Sequence, residues 1–214
     1  MARFLMNRSV SLPLVINGCV ASLVLAVGMM PTLGGFTASI SNLANSSGGG
    51  TIVMQETDST GAITCLSTDG GGVSLNTATC TGLNRFGGNT GMQPGGGAVS
   101  VSYIRNVGNL AAETFALTPG PCVQSATGPL SGPATDLCSK ISVSITSGSA
   151  TIFSGTAAAL AGAGAIDILA RLGLPRFPAG YQAPFTVSTR MDAAVDNSYQ
   201  GLMVSQPLAW TFSA

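Results

Sequence analysis

Four cysteines are the residues whose type and spacing most clearly indicate chemistry: Cys65, Cys80, Cys122 and Cys138. Four cysteines allow three pairings, and we favour Cys65 with Cys80 and Cys122 with Cys138. A glycine run lies inside the first segment and two Gly-Pro dipeptides lie inside the second, so both segments contain turn-forming residues. Each disulfide would close a loop of about fifteen residues and contribute about 3 kcal/mol to stability.

A four-cysteine zinc site is the alternative for the same residues. Zinc sites usually contain close pairs such as C-x-x-C, and these four cysteines include no such pair. The chain also has no histidine. That excludes Ser-His-Asp triads, Cys-His pairs and the H-E-x-x-H motif of zinc peptidases. We therefore predict no catalytic residue and no metal ligand.

Oxygen-bearing side chains form two small groups, Glu56 with Asp58 and Asp192 with Asp196 and Asn197. Oxygen ligands suit calcium, so calcium is the one cofactor that the residue types leave open. Neither group has the spacing of a known calcium loop. Because Asp and Asn commonly form turns, we predict turns at both places and no cofactor.

Charged residues make up 7% of the chain, eight basic and eight acidic, where globular proteins average about 25%. Nucleic-acid binding requires a basic surface that releases counterions, and this composition lacks one. We therefore predict no nucleic-acid partner. Serine and threonine must cover much of the exterior, which suits an assembled or wall-bound protein.

Residues 1–35 have the order of features found in a secretory signal peptide. Arg3 and Arg8 precede an apolar stretch at 12–30, and small residues follow it. We expect cleavage near Gly34, Gly35, Phe36 and Ala38. An uncleaved membrane anchor is the alternative, because the apolar stretch is long for a signal. Membrane contact is expected only through this segment before cleavage.

The remaining residues, 36–214, are predicted to form one domain. Apolar and polar residues alternate at 99–103, 141–145, 185–189 and 208–212, which is typical of half-buried strands. Further strands are expected at 51–55, 62–66, 114–117 and 151–153. Short strands separated by glycine and proline predict an all-β, jelly-roll-like antiparallel sandwich. Good helix formers at about 156–172 predict one inserted helix, ended by Gly173.

Three segments, in this order, resemble a known family. They are Gly35-Phe36-Thr37-Ala38-Ser39 after the apolar stretch, the turn Asn106-Val107-Gly108-Asn109, and the C-terminal run from Asp196 through Gln200-Gly201 to Trp210-Thr211-Phe212. Together they resemble the camelysin/TasA family of exported bacterial surface proteins. The cysteine pairs and the low charge are similar to those of actinobacterial members.

The resemblance implies a jelly-roll-like sandwich, processing by a SipW-type signal peptidase and, in some members, fibres of the biofilm matrix. In such fibres an N-terminal strand of one subunit completes a sheet of the next. Phe36 and Ile40 are the candidate anchors of that donated strand. The alternative is that the same residues form the first strand of their own domain.

The expected function is therefore that of a secreted, non-catalytic structural protein of the cell surface or extracellular matrix. Its expected partners are further copies of itself or cell-wall and matrix components, besides the signal peptidase. Two alternatives stay open. One is a camelysin-like surface metallopeptidase, from which the absence of histidine departs, and the other is a monomeric adhesion or binding module.

Overall fold

The computed structural model describes residues 46–70 and 76–214. One compact unit spans Gly48–Ala214. The cleavage region at Gly34, Gly35, Phe36 and Ala38, and the donor-strand anchors Phe36 and Ile40, lie outside the described residues. Within the described part of the chain, no helix is long and apolar enough to cross a membrane.

The described residues form an all-β sandwich, as the alternation predicts. In chain order, the strands are β1 (Met54–Asp58), β2 (Thr64–Leu66), β3 (Gly97–Asn106), β4 (Thr114–Pro119), β5 (Val123–Ala126), β6 (Ile141–Ser147), β7 (Ala150–Thr156), β8 (Ile166–Asp167), β9 (Gln182–Met191), β10 (Leu202–Ser205) and β11 (Leu208–Ser213). The short helices are α1 (Leu137–Lys140), α2 (Ala157–Ala161) and α3 (Ile168–Leu172). All strand pairs are antiparallel.

One layer is a six-stranded sheet in the order β2-β1-β3-β9-β6-β7. The other layer contains the three-stranded sheet β11-β4-β8 and the two-stranded sheet β10-β5. Chain segment 114–126 forms β4 and then β5, and segment 202–213 forms β10 and then β11. The two small sheets are therefore built from the same two segments. Where the pairing is interrupted, the amide of Gly120 donates to the carbonyl of Pro207 at 2.7 Å, and Gln206 Nε2 donates to the carbonyl of Gly120 at 3.0 Å.

Aromatic side chains fill the space between the two layers. Phe115 of β4 lies 5.1 Å from Phe177, 5.8 Å from Phe185 and 4.7 Å from Phe212, measured between ring centroids. Phe115, Phe177 and Phe185 are almost fully buried. Edge-to-face contacts of this kind add to the stability that apolar burial gives. They fix the distance between the layers at the side where β11 lies.

Strand β3 differs from the usual rule that the apolar side of an alternating strand faces the core. Ser102 is 1% exposed and Ile104 is 0% exposed, whereas Val99 is 65% exposed. The inner position at Ser102 is small, and the side chain of Arg85 lies beside it and donates a hydrogen bond to its Oγ. The alternation correctly predicts the strand, but its valines lie on the outer face.

The predicted single helix at 156–172 is two helices of five residues, α2 and α3, with β8 between them. Gly162 is the C-terminal cap of α2, and Gly164 has a positive φ of 66°. These glycines end the first helix and let the chain pair with β4 before α3 begins. Gly173 caps α3 in the left-handed region at φ 67°, as the sequence predicts.

Both favoured disulfides are present. Cys65 joins Cys80 with 5.8 Å between their Cα atoms, and Cys122 joins Cys138 with 6.1 Å. The first ties β2 to the loop that precedes β3, and the second ties the start of β5 to α1. Disulfides are typical of proteins outside the reducing cytosol.

Candidate functional site: the free edge of strand β11

The three sheets of the described unit have six outer strands, and five of them are short or bulged. β5 and β10, the two strands of one sheet, have four residues each. β2 has three residues and β8 has two. β7 is longer, but its register with β6 shifts between Ile145 and Thr146, which indicates a β-bulge. Short strands and bulges are devices by which proteins prevent edge-to-edge association.

Strand β11 has none of these protections. Its six residues pair with β4 in one uninterrupted register, from Leu208 opposite Pro119 to Ser213 opposite Thr114. The strand contains no charged residue and no proline. Its outward side chains are the small residues Ala209, Thr211 and Ser213, all exposed. Within the described residues no other strand pairs with it, so its second edge offers backbone hydrogen-bonding groups to an added strand.

The inward side of β11 is held firmly. The ring centroid of Trp210 lies 4.6 Å from that of Phe185 and 5.7 Å from that of Phe115. Leu208 and Phe212 pack against the same core. A rigid edge loses little conformational entropy when another strand joins it, which favours strand addition at this place.

Arg85 lies between β1 and β11, which belong to different layers of the sandwich. Its guanidinium lies 5.5 Å from the centroid of Trp210, donates to Ser102 Oγ at 2.7 Å and forms an ion pair with Glu56 of β1. The side chains of Arg85 and Glu56 are 10% and 12% exposed. Burial lowers the pKa of Arg85 to about 10, so the side chain stays cationic at neutral pH.

The loop that carries Arg85 is fixed at several points. The Cys65–Cys80 disulfide holds its beginning. Asn84 Oδ1 accepts a hydrogen bond from the amide of Phe86 at 3.0 Å, and the carbonyl of Phe86 accepts one from Thr189 Oγ1 at 3.3 Å. The disulfide therefore supports the position of Arg85 beside β11 as well as closing its own loop.

Of the acidic residues considered as calcium ligands, Asp58 and Asp196 stabilise turns, whereas Glu56 lies in β1 and pairs with Arg85. Asp58 accepts hydrogen bonds from the Thr60 hydroxyl and the Ile63 amide, and Asp196 accepts two from Ser198. The side-chain hydrogen bond from Thr60 lowers the pKa of Asp58, and that from Ser198 lowers the pKa of Asp196. Within residues 46–70 and 76–214, no three Asp, Glu, Cys or His residues are grouped for a metal ion.

Several residues of the family-like segments stabilise turns or the core. Asn106 is 0% exposed, and its Nδ2 donates to the carbonyls of Leu110 at 2.8 Å and Phe177 at 3.2 Å. Its Oδ1 accepts from the amide of Gly108 at 3.0 Å. Gly201 has φ 78°, and a Cβ there would collide with the carbonyl of Pro129. These residues organise turns, and Trp210 organises the core behind β11.

A cleft of about 100 Å³ lies beside the Arg85 loop. Its walls are mostly apolar and its rim carries amides; among its residues are Asn84, Phe86, Met92, Leu137, Met191 and Val204. Sites for small organic ligands usually measure roughly 300–1,000 Å³. This cleft has room for about one side chain.

Sequence reasoning did not predict the Glu56–Arg85 pair, the cleft or the role of the β11 edge. The available signal was the scarcity of charge, which makes a lone arginine between Asn84 and Phe86 unusual.

A scan of protein-family models matches no family to this chain, and a search of curated proteins returns no significant match.

Proposed function

We propose that the chain is an exported, non-catalytic structural protein of the cell surface or extracellular matrix, whose subunits associate by strand addition at β11. The observation that carries this proposal is the six-residue β11 edge, which has no charge, proline or bulge. Monomeric proteins generally protect such edges, and the other five outer strands of the described unit are short or bulged.

The donor in this proposal is the N-terminal segment of another subunit, with Phe36 and Ile40 as the apolar residues that alternate along it. Signal cleavage near residues 34–38 would free this segment. An added strand gains main-chain hydrogen bonds along β11, and its alternate side chains can pack beside Trp210. The two disulfides support an oxidising location, as expected for an exported protein.

Two features support a non-catalytic role. The chain has no histidine, the commonest general base. The acidic residues considered as ligands have structural partners instead: Asp58 and Asp196 stabilise turns, and Glu56 pairs with Arg85.

The test is assembly of the exported protein, with one lysine placed on the edge strand and one placed next to it. Thr211→Lys adds a charge to the exposed side of β11. Thr118→Lys is the matched control. Thr118 of β4 is also exposed and lies opposite Ala209 of β11, but β4 has a paired strand on each side. Light scattering and negative-stain electron microscopy measure assembly.

The proposal predicts oligomers or filaments for the native protein and for Thr118→Lys, and monomers for Thr211→Lys. A native protein that stays monomeric at high concentration would favour the monomeric binding module instead. Equal assembly of both variants would show that subunits join elsewhere. Hydrolysis of casein that a chelator abolishes would overturn the non-catalytic part of the proposal.

A further inference from the structure

Charge is unevenly distributed over the described unit. All eight acidic residues of the chain lie within the described residues, and only Glu56 and Asp58 lie in strands of the six-stranded sheet. Glu56 and Asp58, the two acids in its strands, lie opposite Ile104 and Ser102, whose side chains are buried on the inner face. The strands of this sheet therefore carry no outward carboxylate, and the exposed Asp192 follows β9 directly, two residues after Arg190.

Two arginines project from this face at opposite ends of the β3–β9 pair. Arg105 lies opposite Gln182 and Arg190 lies opposite Gly97, and both arginines are exposed. Each uses its Nε for a backbone carbonyl, Arg105 at 3.4 Å and Arg190 at 3.0 Å. The other guanidinium nitrogens remain available for an anion. Eight residues of β9 separate the two positions, a span of about 27 Å.

Hydroxyl groups cover the face between the arginines. The strand registers place Thr186, Thr146 and Thr151 side by side in one row across β9, β6 and β7. Ser188, Ser144 and Ser154 form a second, parallel row. All six side chains are exposed or half-exposed. Within a row the strands lie about 4.8 Å apart, so the hydroxyls form a dense and regular array.

An apolar strip borders the hydroxyl rows along β3. Val101 lies opposite Thr186 and Val99 lies opposite Ser188, so each row begins with a valine. Tyr103 projects from the same face, opposite Pro184. The outward valines of β3 therefore lie on the same face as the hydroxyl rows.

We propose that this outer face binds an acidic polysaccharide, with the glycan chain lying along β3 and β9 between Arg105 and Arg190. Serine and threonine hydroxyls both donate and accept hydrogen bonds, as sugar hydroxyls do. The valines and Tyr103 offer an apolar surface to the C–H faces of sugar rings, and the arginines pair with carboxylates. Because no outward strand residue of this face is acidic, a polyanion meets little repulsion between the two arginines.

Other classes of partner fit this face less well. Nucleic acid requires many phosphate contacts, and two arginines supply few. An extended peptide is recognised mainly through main-chain bonds at a sheet edge, which this face lacks. A second copy would bring arginines against arginines without a carboxylate between them. Glycan binding at this face does not depend on strand addition at β11.

The test uses polygalacturonate oligosaccharides as the probe, with their methyl-esterified form as the uncharged control and polyglutamate as an anionic peptide. Isothermal titration calorimetry on the exported protein measures binding at low and high salt. The Thr211→Lys variant serves as a monomeric background, so that loss of assembly and loss of glycan binding stay distinguishable. Circular dichroism verifies folding of every variant.

Four variants separate the outer face from the rest of the surface. We expect the double variant Arg105→Gln/Arg190→Gln and the variant Thr146→Glu each to bind polygalacturonate at least tenfold more weakly. At exposed positions away from this face, Arg171→Gln removes one positive charge and Thr118→Glu adds one negative charge. We expect both to bind as the native protein does.

Binding should also weaken with salt and with methyl esterification. Absence of polygalacturonate binding, equal loss in the Arg171→Gln variant, or equally strong binding of polyglutamate would overturn the proposal.

Discussion

Arg85 provides the most informative single perturbation, because it joins both layers beside the β11 edge. Arg85→Met keeps an unbranched apolar side chain while removing the ion pair to Glu56, the hydrogen bond to Ser102 Oγ and the contact with Trp210. Glu56 is 12% exposed and would then hold a charge without a partner. Removing one partner of a buried ion pair costs about 3–5 kcal/mol.

The expected shift can be stated for urea unfolding. With a slope of about 2 kcal/mol per molar urea, a loss of about 3–5 kcal/mol lowers the midpoint by about 1.5–2.5 M. Circular dichroism and the fluorescence of Trp210, the single tryptophan, follow unfolding independently. Arg176→Met is the matched control: Arg176 lies 3.7 Å from Glu113, but the two side chains are 60% and 57% exposed. We expect the control to cost less than about 1 kcal/mol.

A double variant separates the ion pair from simple packing. Glu56→Met combined with Arg85→Met replaces both charges by apolar groups of similar length, and such replacements are often close to neutral. We expect the double variant to be more stable than either single variant. The reasoning is refuted if Arg85→Met costs no more than Arg176→Met, or if the two single effects simply add.

Three further predictions concern other parts of the unit. Removing the second disulfide by Cys122→Ser/Cys138→Ser should lower the free energy of unfolding by about 3 kcal/mol, measured in urea, because it releases a loop with a sequence separation of 16; an unchanged midpoint would contradict this. Asn106→Ala should cost about 2–3 kcal/mol in the same assay, because two carbonyls and one amide lose their partner; a cost like that of an exposed Asn109→Ala change would not fit. The hydrogen bond to Asp136 raises the pKa of Tyr199 to about 12, so the folded state favours the protonated phenol and stability should fall as pH rises from about 10 to 12. Thermal unfolding should show this loss in the native protein and not in Tyr199→Phe; equal losses in both would refute it.

The sequence predicts the parts of the fold that depend on local pattern. Alternation identifies β3, β6, β9 and β11, and turn-forming residues identify both disulfides. It does not decide which face of a strand is buried, because that depends on what packs above it. The small inner residue Ser102 of β3 contacts Arg85, which lies in the loop before the strand and not in the strand itself.

The candidate site is less predictable because its properties arise from tertiary arrangement. Whether β11 is an outer strand depends on the order of strands in the sheet, which its own residues do not encode. The Glu56–Arg85 pair joins residues far apart in the chain, and their proximity follows from the register of β1 with β3 and from the path of the Arg85 loop. The outer hydroxyl rows likewise require the registers of three strands.

The most direct test of the account is hydrogen–deuterium exchange at Leu208–Ser213, compared between monomeric and assembled exported protein. We predict that amides of β11 become strongly protected on assembly, while those of the central strand β4 change little. Assembly that leaves the exchange of β11 unchanged would contradict strand addition at this edge.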